Sequence, residues 1–251
     1  MTKADSSRAS PHDLHPPARP SAQHARAALA SAQKPAAGVP AYLRWINRPL
    51  GGQIAVTGAP IGATPNGLTA ISAALGLAGI VILAAWPSGW AGPIAAVLLL
   101  LGYAFDSADG QLARILKRGG PAGEWLDHVV DGVRAPLVHI AVAVHLIRTD
   151  SPWWLVGIAG VFSVLVSAWF LSQLLAEKLL PKAPRSTDEV TSRGILESFI
   201  KQPQDPSTTY VIVGMIGCAP LFAVAFTALF AWQLLVFIAS LRRKYRQLTA
   251  L

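Results

Sequence analysis

Charge and cysteine are both scarce in this chain, and each scarcity excludes something. Only 14% of the 251 residues are Asp, Glu, Lys or Arg, whereas soluble domains carry about a quarter. A soluble globular protein is therefore a poor fit. Cys218 is the only cysteine, which excludes an intramolecular disulfide framework and a cysteine-based metal centre. Internal repeats are absent as well, so the chain is not an array of copied units.

Apolar residues fill the space that charge leaves, at 53% of the composition. Stretches of spanning length or near it run over 67–86, 91–113, 124–147, 153–176, 208–219 and 220–241. The expected fold is an all-α integral membrane protein with six transmembrane helices and both termini on one side. The fifth is the shortest, bounded by Pro203 and Pro206 before it and Pro220 at its end. Of the 21 Lys and Arg residues, nineteen fall in segments that this topology puts on one face, with Arg148 alone on the other and Arg134 inside a span. Basic flanks face the cytoplasm, so the expected location is the bacterial inner (cytoplasmic) membrane with the N-terminus inside. Trp86, Trp90, Trp153 and Trp154 mark the outer interface, and Trp45 and Trp125 fall near the inner one. The net charge of +8 is spread over these flanks, which suits anionic lipid head groups rather than nucleic acid.

Three regions follow. Residues 1–40 are rich in Ala, Pro, Ser, His and Arg without apolar periodicity, and are expected to form a disordered basic cytoplasmic tail. In 41–63, Tyr42, Leu43, Trp45, Ile46 and Leu50 alternate with Arg44, Asn47 and Arg48, a composition for an interfacial amphipathic helix. Residues 64–248 make the membrane domain. Its first helix should start with Thr64 as N-cap and Pro65 at the first helical position. The polar connection 177–207 reads as a solvated loop.

Within this apolar frame one constellation stands out: Asp106-x2-Asp109-Gly110-x2-Ala113-Arg114, eight residues, Gly123-x3-Asp127-x3-Asp131. Offsets of three, four, seven and eight keep the first five residues on one broad helix face, and Asp127 and Asp131 share a face of the next helix. Opposed, the two faces would gather four carboxylates around a volume the size of a metal pair, where divalent cations relieve their repulsion. Such a site suits phosphoryl chemistry. Gly110 and Ala113 lack bulk and would let a nucleotide lie against the helix, Arg114 offers a permanent positive charge to a phosphate or an Asp, and Gly123 is read as a break before the third span. Arg134 follows Asp131 by three residues and points into the same cavity. It either holds an anionic acceptor or pairs with Asp131 within the helix.

The runs DSADGQLAR (106–114) and GEWLDHVVD (123–131) resemble the signature of the CDP-alcohol phosphotransferase family, with every specified position filled. That resemblance implies an enzyme that binds a CDP-alcohol with a pair of divalent cations, Mg²⁺ or Mn²⁺. A hydroxyl acceptor then attacks the phosphorus bearing the alcohol, and CMP leaves. It implies Asp106, Asp109 and Asp127 as metal ligands, and Asp131 as general base that also touches metal. The nucleotide falls to Asn66, Thr69, Asp106, Gly110, Ala113, Arg114 and Gly123, because the family has a similar Pro-Asn-x-hydrophobic-Thr element at 65–69. It further implies a homodimer and a role in phospholipid biosynthesis, with CDP-diacylglycerol as the usual donor and a polyol or polyol phosphate as acceptor. Two other readings stand beside this one: a soluble CDP-polyol donor with a lipid or inositol-type acceptor, and an Asp-lined metal-ion transporter.

Overall fold

The computed structural model describes residues 19–32, 38–181 and 192–250, which are helical or turn throughout with no strand. Of the expected tail, 1–18 and 33–37 lie outside the described residues, but between them Ala22–Ser31 forms a helix, α1. Ser21 caps it by accepting from the His24 amide. Its buried Ala25 and Leu29 join Ala55, Val56, Ala59 and Leu112 in one apolar cluster. The weak i, i+4 apolar signal of this segment suffices because the partner helices supply the rest of the buried face.

The segment expected to be interfacial is helical. A π-helical stretch, Leu43–Asn47, runs into α2 (Arg48–Ile61), which ends on Gly62 in the left-handed conformation at φ 84°. Its inner face is made of small residues, Gly51, Gly52, Ala55 and Ala59, and its outer face exposes Trp45, Ile46, Leu50 and Ile61.

Among the described residues five helices are long and apolar enough to cross a membrane: α3 (Pro65–Ala85), α4 (Ala91–Leu116), α5 (Pro121–Arg148), α6 (Trp153–Leu179) and α9 (Ala219–Thr249), the last following α7 (Ser192–Ile200) and α8 (Pro206–Val213). The expected sixth spanning helix is not found among the described residues. Its segment is α8, only 8 residues long, followed by turns through Gly217. Asp205 and Pro206 start α8, while Pro220 sits in the first turn of α9, where it opens a helix instead of closing one. The short passage still covers depth. Asp205 bonds to Tyr103 at one end, and Gly217 lies against Gly89 at the other, positions about 20 Å apart at 1.5 Å per residue of helix.

Lipid tails are as apolar as leucine, so spanning helices associate through close packing rather than through expulsion of water. The α3–α4 contact meets that requirement with glycine. A Cβ built on Gly102 would lie 3.0 Å from the Ser72 carbonyl oxygen, and one on Gly79 would lie 3.0 Å from that of Ala95. Thr64 caps α3 as anticipated, accepting from the Gly67 amide at 3.1 Å. Lys117 ends α4 at φ 51°, and four residues later Pro121 opens α5. Gly123 is therefore not the break between the two helices. Pro121 has already started α5, and Gly123 lies in its first turn.

Two outcomes are expected. Gly102→Val should overpack the α3–α4 seam by about 1–3 kcal/mol and lower the thermal midpoint in detergent, whereas Leu101→Val on the exposed face should not. Cys218, exposed and next to Gly217, which packs on Gly89, should react with a membrane-impermeant maleimide added to intact cells if the basic flanks face inward. Labelling only after permeabilisation would reverse that orientation.

Candidate active site

The turn at 117–120 leads from α4 into α5, both helices pack against α3, and the two halves of the Asp constellation meet beside it. Asp106, Asp127 and Asp131 each offer a carboxylate oxygen, all within 4.8 Å of one another, and all three side chains are partly buried. Asp109 stands apart from this trio. Three residues along α4 from Asp106, it turns toward α3, where its Oδ2 accepts a short hydrogen bond from the Thr69 hydroxyl and is only 6% exposed. Of the four expected carboxylate ligands, the fold thus clusters three and ties the fourth to the helix next door.

Arg134 is the cation of the site. Its Nη2 donates to Asp106 at 2.9 Å and to Ser72 at 3.0 Å, and lies 3.3 Å from Asp131. Both sequence readings thus meet here: the intrahelical pair with Asp131 exists, and the same guanidinium also reaches across to α4 and α3. Its side chain passes beside Gly76, where a Cβ would stand in ordinary contact with Arg134 Cδ at 3.4 Å. Burying a guanidinium at this depth is costly unless it is paired and hydrogen-bonded, and here it is both.

The remaining expected residues line the approach. Asn66 is exposed at the start of α3 and faces Gly123, whose built Cβ would lie 3.5 Å from the amide oxygen. Gly110 has only the Arg114 guanidinium within reach of a Cβ, at 3.6 Å, so its face of α4 is open. Ala113 and Arg114 are half-buried, and Arg114 Nε is a buried donor with no protein partner. His128 lies between Glu124 and Asp127, at 3.8 and 4.0 Å, with its ring edge-on to Phe170.

Three residues that the sequence reading passed over belong to this neighbourhood. Ser72 extends the polar spacing of Asn66 and Thr69 by one more step of three, a stripe readable in an otherwise apolar helix. Asp205, assigned to a solvated loop, is 2% exposed. Its carboxylate accepts from the Ser207 amide and hydroxyl and from Tyr103 at 3.0 Å, while burial pushes its carboxyl above the usual range. The Asp-Pro-Ser order is an N-cap signal that could have found it. Tyr103 in turn stacks on Tyr42 and meets Tyr210 edge-on.

The donors in the trio are oxygen only, which suits hard divalent cations such as Mg²⁺ or Mn²⁺. Carboxylates this close repel one another, and a cation between them offsets that repulsion. Helices of membrane-crossing length thus carry an acidic cluster, drawn from α4 and α5, that could hold a divalent cation. A family model, CDP-alcohol phosphatidyltransferase, matches residues 63–239. The chain belongs to this family, a family of generally divalent-metal-dependent transferases that move a substituted phosphate group from a CDP-alcohol to a hydroxyl acceptor. A search of curated proteins finds no match.

Mn²⁺ should raise the thermal midpoint of the purified protein, and Asp106→Asn and Asp127→Asn should each remove most of that shift. An undiminished shift in both variants would place the cation elsewhere.

Proposed function

We propose that this protein transfers a phosphatidyl group from CDP-diacylglycerol to a hydroxyl acceptor, releasing CMP, as a step in phospholipid synthesis at the cytoplasmic face of a bacterial inner membrane. The observation that carries the reading is the carboxylate trio of Asp106, Asp127 and Asp131, with Asp131 held by Arg134. Asp106, Asp127 and Asp131 would hold divalent metal, which when bound offsets the charge of the donor pyrophosphate. Asp109, joined to Thr69 through Oδ2, braces α3 against α4 and would reach the metal through its other carboxylate oxygen.

Asp131 is the base in this reading. It takes the proton of the acceptor hydroxyl as that oxygen bonds to the phosphorus carrying the diacylglycerol. The bond from this phosphorus to the CMP oxygen breaks, and CMP leaves with the electron pair. Arg134 fixes the Asp131 carboxylate toward the acceptor. The open face at Gly110 and Ala113 receives the nucleotide, Asn66 and Gly123 flank it, and the unpartnered Arg114 Nε is a donor ready for phosphate. The helix over 41–61 exposes Trp45, Ile46 and Leu50, which supports a seat at the lipid interface beside the site. A homodimer is part of the proposal on family grounds.

Purified protein in nanodiscs with CDP-diacylglycerol and Mn²⁺ should release CMP when an acceptor alcohol is added. Asp131→Asn should lower kcat by about 10²–10⁴-fold while still binding donor, and near-normal turnover would refute the base assignment. Release from soluble CDP-polyols instead, with diacylglycerol as acceptor, would exchange the roles of donor and acceptor.

A further inference from the structure

The connection between α6 and α8 reads from sequence as a solvated loop, yet it contains α7. Ile195, Leu196, Phe199 and Ile200 of this short helix are each between 48% and 61% exposed. Offsets of one, four and five put the four on one face. Ser198 is fully buried on the opposite side, where Glu197 and Lys201 pair at 3.8 Å. In water, such an apolar face would stand uncovered.

The helix is fixed to the segment that precedes α2. Arg44 Nη1 donates to the Gly194 carbonyl at 3.3 Å, and just past the other end of α7 the Tyr42 amide donates to Gln202 Oε1 at 2.7 Å. The Trp45 ring lies 5.4 Å from that of Phe199. The apolar face of α7 therefore continues into the exposed side chains of Trp45, Ile46 and Leu50.

Depth decides what covers this surface. Trp86, Trp90, Trp153 and Trp154 are exposed at the ends of α3, α4 and α6, and such a belt marks one boundary of a bilayer. Ala91 starts α4 beside this belt, and Tyr103 lies on the same helix, about 18 Å further along at 1.5 Å per residue. Tilt of the helix only shortens that depth. A hydrocarbon layer is about 30 Å thick, so Tyr103 stands short of the far boundary. Tyr42 stacks on Tyr103 at 6.3 Å, Asn47 donates to its carbonyl at 3.1 Å, and its hydroxyl donates to Asp205, just beyond α7, at 3.0 Å. Both parts of the apolar surface are thus tied to α4 at a level that lipid reaches. The Arg44 guanidinium lies 5.2 Å from the Trp45 ring centre, and Lys201 follows the last residue of α7. Long cationic side chains in such places lay their stems on apolar surface and keep their charge among head groups.

We propose that α7 is a second interfacial helix, and that its apolar face joins Trp45, Ile46 and Leu50 in one platform seated at the boundary of acyl chains and head groups, in the leaflet opposite the Trp belt. The platform is independent of the reaction that the site performs.

Single cysteines introduced into the full-length Cys218→Ser protein, as Leu196→Cys, Phe199→Cys and Glu197→Cys, can carry a nitroxide in nanodiscs, with Leu235→Cys on the exposed face of α9 as a lipid-facing reference. Labels at 196 and 199 should be relaxed several-fold more by oxygen, which partitions into lipid, than by a water-soluble nickel chelate, as at 235. The label at 197 should show the reverse, with the thermal midpoint of the parent retained in all. Ile195→Cys and Ile200→Cys should repeat the pattern of 196 and 199, so the result does not depend on one labelled position. Preference for the nickel chelate at 196 and 199 would overturn the inference in favour of a hydrated helix. Shielding from both reagents, with dipolar broadening between labels of two chains, would overturn it in favour of a face covered by a second copy.

Discussion

One guanidinium holds the site together. Arg134 leaves α5 and makes contacts on two other helices, Asp106 on α4 and Ser72 on α3, besides Asp131 on its own. Within a hydrocarbon layer an uncompensated charge is costly, so this cation and its carboxylates cannot separate without large expense. Breaking such a buried pair by removing one member costs about 3–5 kcal/mol. The three helices are therefore locked in register at the level where the acids must meet. Electrostatics here sets relative position, and packing provides the rest of the stability.

That register is possible because the backbones come unusually close. Gly102 admits the Ser72 carbonyl and Gly79 admits that of Ala95. With α3 drawn this near, Thr69 can reach Asp109 and Ser72 can reach Arg134. The small residues along α3 and α4 and the polar residues Thr69, Ser72, Asp106 and Asp109 are thus parts of one arrangement. On the far side, Phe162, Phe222 and Phe226 fill the space among α5, α6 and α9 with interlocking rings. The aromatic block leaves a cavity unfilled next to Asp131.

A transferase of this kind must bring a highly charged leaving group and a neutral hydroxyl to one phosphorus atom. Two directions lead from Asp131. Toward α4 lie the carboxylate trio, the open face at Gly110 and the free Arg114 donor, suited to charge. Toward α8 and α9 lies a mostly apolar cavity whose wall includes Val138, Val166, Trp169 and Phe170 beside Thr209 and Gln233. Asp131 borders both.

Much of this was legible in the residues themselves. The scarcity of charge and the apolar runs announced spanning helices, because lipid admits little else. The Asp spacing announced a shared face, because an α-helix returns every 3.6 residues. Thr64 and Pro65 marked the start of α3 because caps are local. Other features depended on partners far away in the chain. The helix at 22–31 forms where Leu29 finds a cover in α2 and α4. Asp205 is buried because Tyr103, 102 residues away, bonds to it. The separation of Asp109 from the trio depends on how near α3 approaches. Local periodicity determined which side chains share a face; only the tertiary structure decided which faces meet, because close packing and charge pairing act between helices and leave no spacing in any one of them.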